Sequence, residues 1–163
     1  MADDFSLGPV QVKLPPLERF TQFLKNRNKR VTHQRRLIVE QVFSHHDHFD
    51  ADELMTHLQE LIAKRRISRP TVYRTLSELV EAGLLRKMTL SGRSVYEHDY
   101  GYPRHDHLYC QVCNRLIEFH SEALEGLRDK LAKQYDFQVV GHRMFVTGIC
   151  SDCRRRRRPG DAF

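Results

Sequence analysis

Several things are missing from this chain of 163 residues, and each absence removes a class of function. No run of about 18 consecutive apolar residues occurs, so no membrane-spanning helix is expected. The start, Met1-Ala2-Asp3-Asp4, has none of the charge and apolar pattern of a secretory signal, and the chain reads as soluble and cytoplasmic. Cysteine is scarce: there are four, and Cys110, Cys113, Cys150 and Cys153 fall into two C-x2-C pairs with none left over. No glutamate or serine stands beside a histidine in a nucleophile or base arrangement, which argues against a zinc hydrolase. Acidic residues are absent from Lys25 to Arg36 and from Lys64 to Arg74, stretches that hold six and five cations.

What is present is concentrated from His105 to Glu118, where two imidazoles, two thiols and two carboxylates lie within one short stretch. A turn between cysteines three apart aims both sulfurs at one point, and two such pairs close a tetrahedral zinc shell. The 36 residues between Cys113 and Cys150 require a small folded domain to bring the pairs together, so the expected zinc is structural. Two disulfides or free thiols are the alternatives, and disulfides suit a secreted protein.

The formal charge is +6, with a pI near 9.3, which favours a polyanionic partner. Arg154 to Arg158 supply five of those charges and are expected to form a disordered basic tail over residues 154–163 that adds nonspecific DNA affinity. The two acid-free clusters are more informative, because each adjoins a predicted helix. Residues 1–16 lack periodicity and are expected to be a flexible arm. A first helix starts near Leu17, and Thr32 caps a second with Leu37, Ile38 and Val42 at helical spacing. Asp50 starts a third, with Glu53 in the capping-box position and Leu54, Leu58, Leu61 and Ile62 on one face.

A fourth helix follows, capped by Ser68, with Pro70 in its first turn and Gly83 as its stop. Val72, Leu76, Leu79 and Val80 face the core. Arg69, Thr71, Tyr73, Arg74 and Ser77 lie opposite, where guanidiniums, hydroxyls and an aromatic can meet phosphates and base edges in a major groove. Leu84 to Leu90, a Ser91-Gly92 turn and Arg93 to Glu97 predict a hairpin. Helices followed by a cation-bearing hairpin make a winged helix; a solvated basic helix in an ordinary bundle is the plainer alternative.

Downstream, strand Leu116–Phe119, a helix from Ser121 to Tyr135 with Leu124, Leu127 and Leu131 aligned, and strand-like Phe137–Val140 and Met144–Ile149 predict a small α/β unit. So short a sheet is hard to stabilise alone, and pairing across a twofold axis would help.

The helix RPTVYRTLSELVEAGL, the hairpin SGRSVYEH, the run HDHLYCQVCNRLIEF and the closing GICSDC, in that order, resemble the ferric uptake regulator family over Leu17 to Cys153. The resemblance implies an α+β, metal-dependent transcription repressor. Its expected parts are a winged-helix DNA-binding domain over 17–98, a hinge over 99–104 and a dimerisation domain over 105–153. A homodimer on a palindromic double-stranded operator is expected, with assembly beyond the dimer left open. Carried over by position, Tyr73 and Arg74 resemble recognition-helix contacts, Arg30 the minor-groove residue of the arm, and Thr32 and Arg35 backbone contacts.

An extended His105–His107 puts both histidines on one face and Asp106 on the other. By resemblance, His105, His107 and Glu118 share a sensory metal with Glu97 and His48. Asp106, Glu125 and His142 match a second metal site, but Arg104 stands where many members have a histidine, so a metal and an Arg104–carboxylate salt bridge are both open. His98 is an alternative to Glu97 as a ligand, and His33 stands near enough to the cations to approach phosphate. Imidazole and carboxylate ligands without thiolate suit Fe(II) or Mn(II), with Zn(II) as a substitute. The glutamates at 97 and 118, where peroxide-sensing members tend to carry aspartate, favour iron sensing; a peroxide-, manganese- or zinc-sensing regulator of the same family is the alternative. Histidine ligates only when neutral, so operator binding is expected to weaken below about pH 6.5.

Overall fold

The computed structural model describes residues 12–44, 48–59 and 67–156. Two compact units emerge, with the boundary between Tyr102 and Pro103.

The first unit runs α1 (Pro16–Asn26), α2 (His33–Val42), β1 (Phe49–Asp50), α3 (Ala51–His57), α4 (Arg69–Glu81), β2 (Leu85–Leu90) and β3 (Arg93–His98). Each helix after the first starts on a side chain suited to satisfy orphan backbone donors. Thr32 accepts from the Arg35 amide, Ser68 from the Thr71 amide, and Asp50 with Glu53 closes a capping box. The end of α4 is set by Gly83, whose φ of +65° is the left-handed conformation a Schellman cap needs. The Leu84 amide returns to the Leu79 carbonyl (3.0 Å) and the Gly83 amide to that of Val80 (3.0 Å). This cap turns the chain out of α4 and into the hairpin. Ser91 and Gly92, at φ +48° and +79°, make the type I′ turn whose twist suits a two-residue hairpin.

Phe20, Leu24, Ile38, Val42, Leu54, Leu58, Val72, Leu76, Leu79 and Leu84 form one buried core under α4. Leu61 and Ile62 of the expected third-helix face, and the cations Lys64 to Arg66, lie outside the described residues. Because Leu76 is fully buried, Leu76→Ala is expected to cost about 2–5 kcal/mol. A urea titration followed by circular dichroism reads this; a loss below about 1 kcal/mol would mean that α4 is not seated on this core.

Two findings differ from the expectation for this unit. Residues 12–15, expected in the flexible arm, are tied down at Leu14, whose amide donates to the Tyr100 hydroxyl (3.3 Å) and whose carbonyl accepts from it (3.0 Å). The wing gains a third strand, β1, giving the order β1-β3-β2, with Phe49 opposite Tyr96 and their rings 5.7 Å apart.

The second unit runs β4 (Asp106–Cys110), β5 (Leu116–Phe119), α5 (Glu122–Gln134), β6 (Phe145–Gly148) and α6 (Ser151–Arg156). Its sheet has the order β5-β4-β6, with β4 antiparallel to β5 and parallel to β6. Phe137–Val140 is not a strand here, contrary to expectation. Asp136, at φ +47°, serves as the left-handed residue of another Schellman cap, and the Phe137 amide donates to the Ala132 carbonyl (2.8 Å). That amide is spent on ending α5 and cannot open a ladder.

The expected disordered tail is also corrected in part. Arg154–Arg156 belong to α6, where Arg155 pairs with Asp152 one turn back (2.6 Å), an i,i+3 contact that favours helix. Arg157 and Arg158 lie outside the described residues. No residue of α5 is buried, and Leu127, Leu131, Tyr135, Phe137 and Val140 stay exposed, the last at 90%. An apolar surface of this kind marks a site of association.

Candidate metal centres and DNA-binding helix

The first C-x2-C pair sits where β4 turns into β5. Asn114, at φ +59°, closes the turn: its amide donates to the Cys110 carbonyl (2.9 Å) and its side chain accepts from the Tyr109 hydroxyl (2.6 Å). The second pair lies at the start of α6, which follows β6, the other neighbour of β4. Parallel pairing of β4 with β6 therefore carries Cys150 and Cys153 back to Cys110 and Cys113. All four sulfurs lie within 4.8 Å of one another, and Cys113 and Cys150 are 3.8 Å apart.

A disulfide would need about 2.05 Å. Tetrahedral zinc with Zn–S bonds of about 2.3 Å needs sulfurs about 3.8 Å apart, so the cluster is consistent with a zinc site. Its electrostatics fit a cation. The Cys150 amide, and then that of Cys113, donate to Cys110 Sγ and hold its pKa down to about 6. Cys153 is pushed up to about 12, first by its hydrogen bonds to the Cys150 and Cys113 sulfurs. Thiols this close share protons, and a divalent ion releases them.

On β4, His107 is buried and stands directly opposite Glu118 of β5. The His105 and His107 rings are 4.7 Å apart and edge-on, and His105 Nε2 is 3.8 Å from Glu118 Oε1. One ligand atom from each of the three lies within 4.8 Å of the others. His105 Nδ1 lies 2.8 Å from the Pro103 carbonyl, which can only accept. A proton is therefore on Nδ1, and in the neutral ring Nε2 presents its lone pair, the arrangement by which a backbone carbonyl orients a metal-binding imidazole. In the first unit, His48 Nε2 lies 3.3 Å from Glu97 Oε2, with Glu97 buried on β3. His98, the alternative ligand, is instead turned to the Val42 carbonyl (3.0 Å).

Asp106 faces away from His105 and His107, as strand alternation requires, and meets His142 (Oδ2 to Nε2, 3.2 Å). Glu125 does not join them directly. The guanidinium of Arg128 lies between, with Nη1 at 3.4 Å from Glu125 Oε1 and 3.1 Å from His142 Nδ1. The cation that meets this trio is Arg128 and not Arg104. Arg128 is a residue that sequence reading does not single out: one turn after Glu125 on α5, it is marked only by its i,i+3 spacing from that carboxylate.

Tyr73 and Arg74 are exposed on α4. Arg69 is also exposed and 3.4 Å from Asp52, while the Thr71 hydroxyl bonds that of Ser68 (2.9 Å). Arg30 is exposed, and Thr32 is occupied as a helix cap. Arg35 is only 14% exposed: its guanidinium bonds Glu78 Oε1 (2.9 Å) and the Arg30 carbonyl (2.6 Å), and Lys29 reaches the same carboxylate oxygen (2.8 Å). Glu78 is the second residue missed. It is an acid on the buried side of α4, one residue from Leu79, and it pins the basic α1–α2 segment against that helix.

The sequence pattern of the ferric uptake regulator family matches residues 26–147. The chain belongs to the ferric uptake regulator family. It is 33% identical over 144 residues to the ferric uptake regulation protein of Neisseria meningitidis serogroup C, covering 86% of this chain and 98% of that protein. It is 30% identical over 138 residues to the peroxide-responsive repressor PerR of Staphylococcus epidermidis, covering 85% and 90%.

Among solved structures, the Vibrio cholerae ferric uptake regulator, described as revealing structural rearrangement of its DNA-binding domains, superposes with a TM-score of 0.65. Its identity is 32%, over 80% of this chain and 98% of that one. The protein is thus a metal-responsive transcription regulator of this family and not an enzyme. No described helix is long and apolar enough to cross a membrane.

Proposed function

We propose that this member of the ferric uptake regulator family is a homodimeric repressor of iron-uptake genes that binds a palindromic operator when loaded with Fe(II) and releases it when iron is scarce. The observation that carries this reading is the imidazole–carboxylate pairing present separately in each unit: His48 with Glu97 in one, and His105 and His107 with Glu118 in the other. A single divalent ion held by all five residues would fix the orientation of the DNA-binding unit relative to the dimerisation unit. The rearrangement of DNA-binding domains described for the Vibrio cholerae relative supports such a hinge, which we place at 99–104 between domains 17–98 and 105–153. The donor set contains no thiolate, which favours Fe(II) or Mn(II), and the two glutamates favour iron. The four thiolates hold structural zinc.

On DNA, Tyr73, Arg74, Arg69 and Thr71 read the major groove, Arg30 enters the minor groove, and Thr32 and Arg35 lie along the backbone. Arg35 acts chiefly by holding Glu78. The exposed apolar face of α5 pairs two copies, and the protein works in the cytoplasm.

The test is operator affinity measured in chelator and again with stoichiometric Fe(II) or Mn(II). A marked gain with metal is expected, and equal affinities would remove the sensing reading. The likeness to PerR favours one second reading, peroxide sensing at the same site. Oxidation of His48 or His105 after mild peroxide, seen by mass spectrometry of the Fe(II)-loaded protein, would select it.

A further inference from the structure

The Asp106, Glu125 and His142 cluster matches a second metal site of the family in residue type, yet the lone pair of its imidazole and one oxygen of Glu125 already face a guanidinium. A guanidinium only donates, so the contact between Arg128 Nη1 and His142 Nδ1 (3.1 Å) uses the one lone pair a neutral imidazole has. The His142 proton then sits on Nε2 and points to Asp106 Oδ2 (3.2 Å), while Asp106 Oδ1 accepts from the Met144 amide (2.7 Å). Arg128 Nη1 also meets Glu125 Oε1 (3.4 Å), and its Nε meets Asp129 Oδ1 (2.8 Å). The cavity that Asp106, Glu125 and His142 themselves line, together with Arg104, His120 and Ser121, measures about 10 Å³, at the lower limit of what one water occupies.

The residues therefore do not fit a divalent ion, and we propose that Arg128 is the permanent cation of this cluster, doing for β4, α5 and the segment before β6 what a metal would otherwise do. A guanidinium cannot be chelated, oxidised or exchanged, and it stays charged at any physiological pH. The consequence is that this part of the dimerisation unit holds its shape whatever the supply of divalent metal. The inference goes beyond the proposed sensing function and does not depend on it.

The test uses the full-length protein, its His142→Ala variant and its Arg128→Met variant. Each is loaded with excess Co(II), passed through gel filtration and counted for metal per protomer, with far-ultraviolet circular dichroism to confirm folding. The parent and His142→Ala are expected to hold the same number of equivalents. One equivalent fewer in His142→Ala would overturn the proposal, whatever the other sites hold. Arg128→Met, which frees the three ligands, is expected to gain one Co(II) per protomer, a gain that Arg128→Met combined with His142→Ala loses again. A folded Arg128→Met protein that binds no more than the parent would also overturn it. If Arg128→Met does not fold, the comparison of the parent with His142→Ala decides alone.

Discussion

Cys153→Ser is expected to empty the four-cysteine site and unfold the unit that follows Tyr102, while the DNA-binding unit keeps its own cooperative transition. The reason lies in how little else holds that unit together. Its sheet has strands of four or five residues, no residue of α5 is buried, and Cys110 and Cys153 are themselves among the few buried apolar side chains there. A sheet so small, without a well-covered face, is marginal in water.

Metal at a structural site contributes folding free energy directly, about 10–16 kcal/mol in small zinc peptides, against the 5–15 kcal/mol that typically separates a folded domain from its unfolded chain. Losing one of four thiolates removes much of that contribution. An ion held by the four thiolates would join the β4–β5 turn to α6, so its loss would free α6 and with it the Arg115–Asp152 contact (3.3 Å). Metal analysis should show less than one zinc per protomer, gel filtration a loss of dimer, and calorimetry one transition where the parent has two. A Cys153→Ser protein free of zinc that still dimerises and melts cooperatively in both units would show that the metal is not what folds the second one.

The next largest effect is expected from His107→Ala, which should abolish the gain in operator affinity produced by Fe(II) or Mn(II) without disturbing the zinc. His107 is almost fully buried opposite Glu118, and alanine in its place offers no ligand atom at that position. Coupling between an effector site and a ligand site is commonly worth about 1–3 kcal/mol, or roughly 5–150-fold in affinity. The variant should therefore bind the operator equally with and without metal, at the level of the metal-free parent.

His48→Ala, in the other unit, should give the same result, because the proposed ion has to hold both units to fix their orientation. The pair separates sensing from plain DNA binding: residual affinity comes from the basic face of α4 and persists in both variants. Anisotropy titrations of labelled operator at fixed ionic strength measure this. If the doubly substituted protein kept the full metal-dependent gain, the chain would be a DNA-binding protein whose histidines serve some other purpose.

Much of this architecture was readable before any coordinates. Thr32, Asp50 with Glu53, Ser68 and Gly83 mark helix ends through contacts made within a few residues, so residue type and spacing are enough to locate them. The same holds for the Ser91-Gly92 turn and for each C-x2-C pair, whose geometry is local. Alternation along His105–His107 separates the two faces of β4 for the same reason. Less legible was Phe137–Val140, where residues with strand propensity follow a helix whose cap takes up the first amide; propensity does not reveal where that amide is spent.

By itself, then, the order of residues determined the helix starts of the first unit, the hairpin, the two cysteine pairs and the opposite faces taken by Asp106 and the histidines beside it, because hydrogen bonds and periodicity over short separations specify them. Only the tertiary structure decided which cation meets which anion. Arg128, and not Arg104, stands between Glu125 and His142; Glu78 draws in Arg35 and Lys29; β1 finds β3. Charged side chains of one sign are equivalent in sequence, and what distinguishes them is the distance left between them after the apolar core and the backbone ladders have set the packing.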